Sequence, residues 1–434
     1  MALTGHRTFV GFGFGAIQAG LFLFEAFRSE GFARLVVGEV ASDAVDALRR
    51  NAGYYAVNVA HADRVEAARV GPVQIENPAS AQDIARLVDA VAEAEEISTA
   101  VPSVRFYSGR GPGSIHRIMA QGLRKKATGG GPRAVVYAAE NHNHAAEILE
   151  AAVFDEIPAA EKASVRERVC FLNTVIGKMS GVISDPGEVQ ARHLATVTPG
   201  SPRVFLVEAF NRILISQVCF PQASGEPRFQ RGIGAFVEKE DLLPFEEAKL
   251  YGHNATHALA AYLCSLRGLA RIADLRQTPD LLGFIRAAFL EESGEALIRK
   301  YAGRDRLFTP EGYREYADDL LERMTNPYLQ DSVERVGRDP HRKLGWDDRL
   351  VGTLRLALQQ KIIPRRYALG TAAALAALEP RYLETDVPTR ALVADIWGSV
   401  IMQTKEAEDI LRLIEDARRR LKRWCGCGFQ TLEV

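Results

Sequence analysis

A lysine, an asparagine and two histidines fall within one short stretch of this chain, Lys249-Leu-Tyr-Gly-His253-Asn254-Ala-Thr-His257. At about 100° per residue of an α-helix, His253, His257 and Asn254 lie roughly 40°, 80° and 140° round from Lys249, so one helix face carries all four. The adjoining segment, Ala258-Leu-Ala-Ala-Tyr-Leu-Cys264-Ser-Leu, is apolar and ends at Arg267-Gly268, a helix-stop pair. Polar groups on so apolar a helix have to be paired or functional, since burying them unpaired costs several kcal/mol. A lysine beside an amide and an imidazole is equipped to take a proton from an alcohol. A free lysine titrates near ~10.4, so a base working near neutrality needs a drop of ~2–3 units, and burial acts in that direction.

A second constellation lies near the N-terminus. Residues 7–12 read as a strand, and Gly11-Phe-Gly13-Phe-Gly15-Ala16-Ile17-Gln18-Ala19-Gly20 separates it from a helical run ending near Arg28. Glycines there let the backbone turn sharply and approach a pyrophosphate lying on the helix N-terminus. Residues 35–39 read as the next strand, and Glu39 ends it, where an acid accepts a ribose 2′-hydroxyl and repels a 2′-phosphate. That order points to NAD as the cofactor. Gln18 stands where the third glycine would fall if the motif starts at Gly13, which weakens close strand–helix packing but leaves the phosphate approach open.

The elements that position these residues can be read from periodicity. Short apolar runs at 133–139, 169–173 and 203–208 alternate with helical stretches such as 80–94 and 145–153. This is an α/β pattern, a Rossmann-type domain with a mostly parallel sheet covered on both faces. After about residue 222 nearly everything carries helical periodicity (282–297, 310–323, 348–361, 390–402 and 406–423). The expected organisation is therefore an NAD-binding domain over 1–222 and a mostly α-helical substrate domain over 223–434. In the last helix Ile410, Leu413, Ile414, Ala417 and Leu421 form one stripe, expected to dock on the protein's own core.

Composition bounds the rest. The 434 residues are 47% hydrophobic and 25% charged, with a formal net charge of −1, which argues against a nucleic-acid or membrane-surface binder. No apolar run reaches the ~18 residues of a membrane span, and the N-terminus has no signal core. Five scattered cysteines give no disulfide framework, and a reducing cytoplasm is expected. Cys425-Gly-Cys427 lacks the second ligand pair of a zinc site, and His142-Asn-His144 lacks a third ligand, so no metal is expected.

Three stretches of the second half resemble the polyol-specific long-chain dehydrogenases. They are Lys249-x4-Asn254-x2-His257, Leu290-Glu-Glu-Ser-Gly-Glu-Ala-Leu-Ile-Arg-Lys-Tyr301, and Asn326-Pro-Tyr-Leu-Gln-Asp-Ser-Val-Glu-Arg-Val-Gly-Arg-Asp-Pro-His-Arg-Lys-Leu344, which continues into Asp348-Arg349-Leu350. In the first half, Gly13 to Gly20, Thr99-Ala100-Val101 and Ala139-Glu140-Asn141 fit the same family. The resemblance implies metal-independent NAD chemistry with Lys249 as general base, and Asn254 and Asn141 stabilising the alkoxide. It implies that His257 hydrogen-bonds the reacting oxygen or its neighbour hydroxyl, and that Thr99, Ala100 and Val101 lie along the cofactor.

Arg335 and Lys343 match positions that hold the far end of the substrate. With Arg338, His341 and Arg342 they concentrate positive charge around Asp339, which suits a phosphorylated sugar. The resemblance implies as partner a small polyol or sugar phosphate, mannitol 1-phosphate and fructose 6-phosphate leading, and a monomer or homodimer is expected. Unphosphorylated polyols or hexuronates are the alternative, and a catalytically quiet NAD-binding protein a second one. Three departures from the family bear on this choice: Gly177-Lys178 replaces an Asp-Arg pair, residues 102–110 form an insertion, and His142-Asn-His144 comes directly after Asn141.

Overall fold

The computed structural model describes residues 7–221 and 228–426. The chain divides into two compact units, Met1–Leu243 and Pro244–Val434.

Among the described residues, twelve strands belong to the first unit: β1 (Thr8–Phe12), β2 (Arg34–Gly38), β3 (Tyr55–Ala60), β4 (Val65–Val70), β5 (Gln74–Glu76), β6 (Glu96–Thr99), β7 (Ala134–Ala138), β8 (Val169–Val175), β9 (Ser180–Ile183), β10 (Val204–Glu208), β11 (Ile213–Ser216) and β12 (Phe236–Lys239). Eight form one sheet in the order β12-β11-β8-β7-β6-β1-β2-β5. From β8 to β5 all neighbours are parallel; β11 turns antiparallel to β8, and β12 runs parallel to β11. This is the Rossmann-type architecture the alternation implies. Helices Ala81–Glu93 and Ile115–Thr128 pack against each other over one face, their apolar residues meeting Val10, Val36, Ile97 and Val136 of the sheet.

Two expectations are corrected here. The run at 203–208 is a strand, but it belongs to a second sheet in the order β4-β3-β10-β9, pairing parallel to β3 and antiparallel to β9. A fully buried apolar run states that it is inside, not which sheet it joins. The first unit also extends past residue 222, because Phe236–Lys239 completes the large sheet beside β11; the unit ends at Leu243.

The second unit is helical throughout. Arg365–Leu378, Val333–Gly337 and Pro279–Ala288 pack against the buried Ala255–Leu266 helix, and Pro310–Met324, Val351–Gln359 and the long Lys405–Gly426 add to the same core. Ile410, Ile414, Ala417 and Leu421 of the last helix are buried against Arg365–Leu378, as their stripe implies. Thr389–Trp397 ends earlier than its periodicity suggests, since Gly398 turns the chain with φ +80°. Cys425 is half-buried, and Cys427 lies outside the described residues. Among the described residues no helix is long and apolar enough to cross a membrane, and no group of three or more His, Cys, Asp or Glu is placed to hold a metal.

Candidate active site and cofactor cradle

In the first unit the end of β1 leads into Gly13, which has φ +87°. A Cβ there would sit 2.7 Å from the Ala100 carbonyl oxygen, so only glycine lets the loops after β1 and β6 touch. Around Gly15 there is open space; nothing lies within 4 Å of where its Cβ would be. The helix begins directly behind it, with the Ala19 N–H on the Gly15 carbonyl at 2.9 Å. An open glycine at a helix N-terminus is what an incoming pyrophosphate needs, so the residues fit a dinucleotide. Glu39 sits at the end of β2, its two carboxylate oxygens accepting the Phe14 and Ala41 backbone N–H groups at 2.6 and 2.8 Å. It therefore braces the glycine loop and keeps further lone pairs for hydroxyls.

Gly11 behaves differently from the other fingerprint glycines. It lies inside β1, and its missing side chain makes room for the Gln18 amide, whose Nε2 would be 2.1 Å from a Cβ at Gly11. Gln18 is fully buried and accepts the Ser98 hydroxyl at 3.0 Å. Gly11 and Gln18 thus serve each other, which corrects the expectation that they face the cofactor. Close packing is not lost where Gln18 stands. Gly20 supplies it against the second sheet, where a Cβ would lie 2.4 Å from Val207 Cγ1, and the Tyr55 hydroxyl donates to the Ala19 carbonyl at 2.7 Å.

Thr99, Ala100 and Val101 are fixed by Glu140, whose residue type and position alone suggest no role. The buried Glu140 carboxylate accepts the Thr99 hydroxyl and the Val101 N–H, both at 2.9 Å, and the Tyr107 hydroxyl. Burial raises its carboxyl above the usual range despite these donors. Tyr107 comes from the 102–110 insertion, so that segment is anchored by a completely buried side chain, while Phe106 beside it is exposed. Asn141, next to Glu140, is exposed at the C-terminal side of β7. His142 and His144 are exposed too, their rings 6.2 Å apart. Lys178 of the Gly177-Lys178 departure is buried, with its ammonium on the Glu208 and Phe210 carbonyls, a structural use at the end of β10.

In the second unit Lys249 lies on a π-helical turn, Ala248–Asn254, which runs into the α-helix Ala255–Leu266. Single π-turns widen the helix by a residue and recur at functional sites. The i→i+5 bonding puts Lys249 and Asn254 about one turn apart, closer than the ~140° of an α-helix. A second π-turn, Phe289–Gly294, belongs to the 290–301 motif and packs against the first. Gly252 permits the approach, since a Cβ there would lie 2.6 Å from the Tyr313 hydroxyl and 3.0 Å from the Phe289 ring. Behind them the Tyr367 hydroxyl meets Thr256 at 2.7 Å and Ser293 at 3.0 Å. Glu292 accepts the Arg366 and Tyr367 N–H groups at 2.8 and 3.0 Å.

Electrostatics single out the same face. Burial, then the Arg349 charge, pull Lys249 down to about 8. Burial holds His257 at about 4 against the opposing pull of Asp331, and drives His253 well below its ordinary value, helped by Arg323 and His257. Both histidines are therefore neutral at physiological pH. A low value alone does not mark a site: Lys126 is at about 7, but its ammonium is held by the Ala92 and Ala94 carbonyls at 3.0 and 2.6 Å.

Two residues without an assigned role emerge here. Arg349, mostly buried, pairs with Asp348 at 2.8 Å, and its charge acts on Lys249, His253, His257 and Lys343. Asp331, buried, pairs with Arg335 and stands 3.7 Å from His257 Nε2. That nitrogen and Asp331 Oδ2 are both buried without a hydrogen-bond partner, an open place for a hydroxyl. The i,i+4 spacing of Asp331 and Arg335 was the available sequence signal.

The basic cluster is more balanced than its sequence suggests. Arg335 goes to Asp331, and Arg342 to Asp339 at 2.9 Å and Asp348 at 3.4 Å. Lys343 is buried, its ammonium on the Arg338 carbonyl, and burial with Arg349 and Arg342 lowers it to about 8. Asp339 takes the left-handed conformation (φ +59°) and caps the turn Pro340–Lys343, which an aspartate tolerates.

The mannitol dehydrogenase Rossmann domain matches residues 7–223, and the mannitol dehydrogenase C-terminal domain matches residues 241–403. The chain belongs to the mannitol dehydrogenase family. Mannitol-1-phosphate 5-dehydrogenase of Bacillus licheniformis is 32% identical over 343 residues, 78% of this chain and 80% of that one. Two solved structures share the fold of nearly the whole chain. D-sorbitol dehydrogenase in substrate-free form has a TM-score of 0.74 at 15% identity, covering 99% of this chain and 96% of that chain. Pseudomonas fluorescens mannitol 2-dehydrogenase, in a ternary complex with NAD and D-mannitol, has a TM-score of 0.69 at 17% identity, covering 99% and 94%.

Proposed function

We propose that this member of the family interconverts a polyol and its ketose with NAD, and that mannitol 1-phosphate and fructose 6-phosphate are its substrates. The observation that carries the reading is Lys249: a lysine drawn down to about 8 by burial and Arg349, on a π-turn that brings Asn254 to its side. Gly13, Gly15, Ala16, Ile17 and Glu39 would hold the dinucleotide, with Thr99, Ala100 and Val101 along it. When bound, its nicotinamide supplies the hydride acceptor.

Lys249 takes the hydroxyl proton in the oxidation direction and returns it in reduction. Asn254 and Asn141 donate amide N–H groups to the oxygen as negative charge develops. Neutral His257, whose Nε2 lies 3.7 Å from the Asp331 carboxylate, hydrogen-bonds that oxygen or the neighbouring hydroxyl. Arg335, Arg342 and Lys343 hold the distal end together with Arg349. Arg335, Arg338, Arg342, Lys343 and Arg349 gather the cations that a distal phosphate would need, part of their charge being paired by Asp331, Asp339 and Asp348. The relative at 32% identity is named for a phosphorylated polyol, which favours the same choice.

The carboxylate partners favour a second reading, in which the cluster is neutral enough for a free polyol or a hexuronate. NADH oxidation with fructose 6-phosphate, fructose and a hexuronate separates the two. Fructose 6-phosphate is expected to have the highest kcat/KM by at least tenfold; preference for an unphosphorylated ketose would overturn the phosphate assignment.

A further inference from the structure

Two cysteines of the first unit, unused by the proposed reaction, lie on β8 and just beyond the end of its neighbour β11. Cys170 lies on β8, and Cys219 comes three residues after the end of β11. β11 is antiparallel to β8, with Leu214 opposite Val175 and Ile215 opposite Thr174. The same register puts Ser216 opposite Asn173, whose N–H indeed reaches the Ser216 hydroxyl at 3.2 Å. Carried on past the end of β11, it would set Cys219 opposite Cys170, near enough for the Cys219 backbone N–H and thiol to act on the Cys170 thiol. Opposed residues on antiparallel strands have Cα atoms about 4.5–5.5 Å apart, within the ~4.4–6.8 Å that a disulfide spans.

Both are free thiols in this structure, and they differ in access: Cys219 is exposed, while Cys170 is half-buried against the apolar core. We propose that Cys170 and Cys219 are a reversible oxidation site, joined as a disulfide when the protein meets a hydroperoxide. The exposed Cys219 sulfur attacks the peroxide oxygen, the O–O bond breaks, and the products are a Cys219 sulfenic acid and one water or alcohol. The Cys170 sulfur then attacks the Cys219 sulfur; the S–S bond forms, the S–O bond breaks, and hydroxide leaves as water with the thiol proton. Two electrons pass from the two thiols to the peroxide, and a dithiol returns them by exchange. Burial, which pushes the Cys170 thiol up to about 11, keeps it from reacting first and suits it to the resolving role.

The bond would tie β8 to the chain leaving β11. This step is independent of the proposed substrate.

The test exposes the full-length protein to hydrogen peroxide, alkylates the remaining thiols, and digests with trypsin. The expected product is a cross-link between the peptides 169–178 and 213–228. It is accompanied by loss of two of the five thiols counted in denaturant, and dithiothreitol restores both. Cys219→Ser, at an exposed position, is expected to keep all four of its thiols under the same exposure. Unchanged thiols in the wild-type protein, a bond confined to Cys425 and Cys427, or oxidation of Cys219 that dithiothreitol does not reverse would each overturn the proposal.

Discussion

Replacing Arg349 by Gln separates the two forces that lower Lys249. At about 8, roughly one lysine in eleven is neutral at pH 7, against about one in three thousand at the ordinary 10.5. The drop of ~2.5 units is worth about 3.4 kcal/mol, and a gain of about 300-fold in available base. Burial is the larger cause and Arg349 the next, with Glu246 opposing, so removing the Arg349 charge should let the lysine rise part of the way back while burial still holds it below its ordinary value. In the wild-type enzyme polyol oxidation should climb about tenfold per pH unit and level off above about 8. Ketose reduction, which needs the ammonium, should be flat below that pH and fall above it. His257, at about 4, adds no further limb between pH 5 and 9.

Arg349→Gln should move the midpoint of both profiles upward from about 8, slowing oxidation at pH 7 several-fold while leaving the high-pH plateau of kcat within a few-fold. Steady-state kcat at saturating substrate, followed by NADH absorbance from pH 6 to 10, measures this. A midpoint that does not move, with an equal rate loss at every pH, would refute the electrostatic role and leave Arg349 as a binding residue alone.

Asp331→Asn removes the carboxylate that pairs with Arg335 and faces His257; initial rates should show KM for the ketose rising about tenfold with kcat within a few-fold. Tyr107→Phe deletes one donor to buried Glu140 and should cost about 1–3 kcal/mol, read by calorimetry as a lower Tm, together with faster hydrogen exchange over residues 102–110. Gly20→Ala puts a methyl about where Val207 Cγ1 lies; overpacking of ~1–3 kcal/mol should lower Tm by several degrees at ~2–4 °C per kcal/mol.

Local pattern carried what was local. β1, the glycine turn, the helix behind it, β2 and Glu39 follow one another along the chain, and the structure builds these elements in that order. The second sheet was illegible because β4 is mostly exposed and carries no apolar alternation, and because β10 is paired by β3 and β9, distant in sequence. Lys249, Asn254 and His257 stood out by residue type, but the π-turn that brings Asn254 round to Lys249 leaves no mark in a periodicity only one turn long. Arg349 and Asp331 were visible as letters only; what they do depends on which buried groups the fold sets against them. Gln18 takes on the opposite meaning once Gly11 makes room for it.

In the proposed mechanism Lys249 moves the proton. The direct measurement is turnover of Lys249→Ala with the preferred ketose, alongside NADH affinity by fluorescence titration. The account predicts a loss of about 10²–10⁴-fold in kcat, with the NADH Kd unchanged. A kcat within a few-fold of wild type, with NADH bound as before, would contradict it.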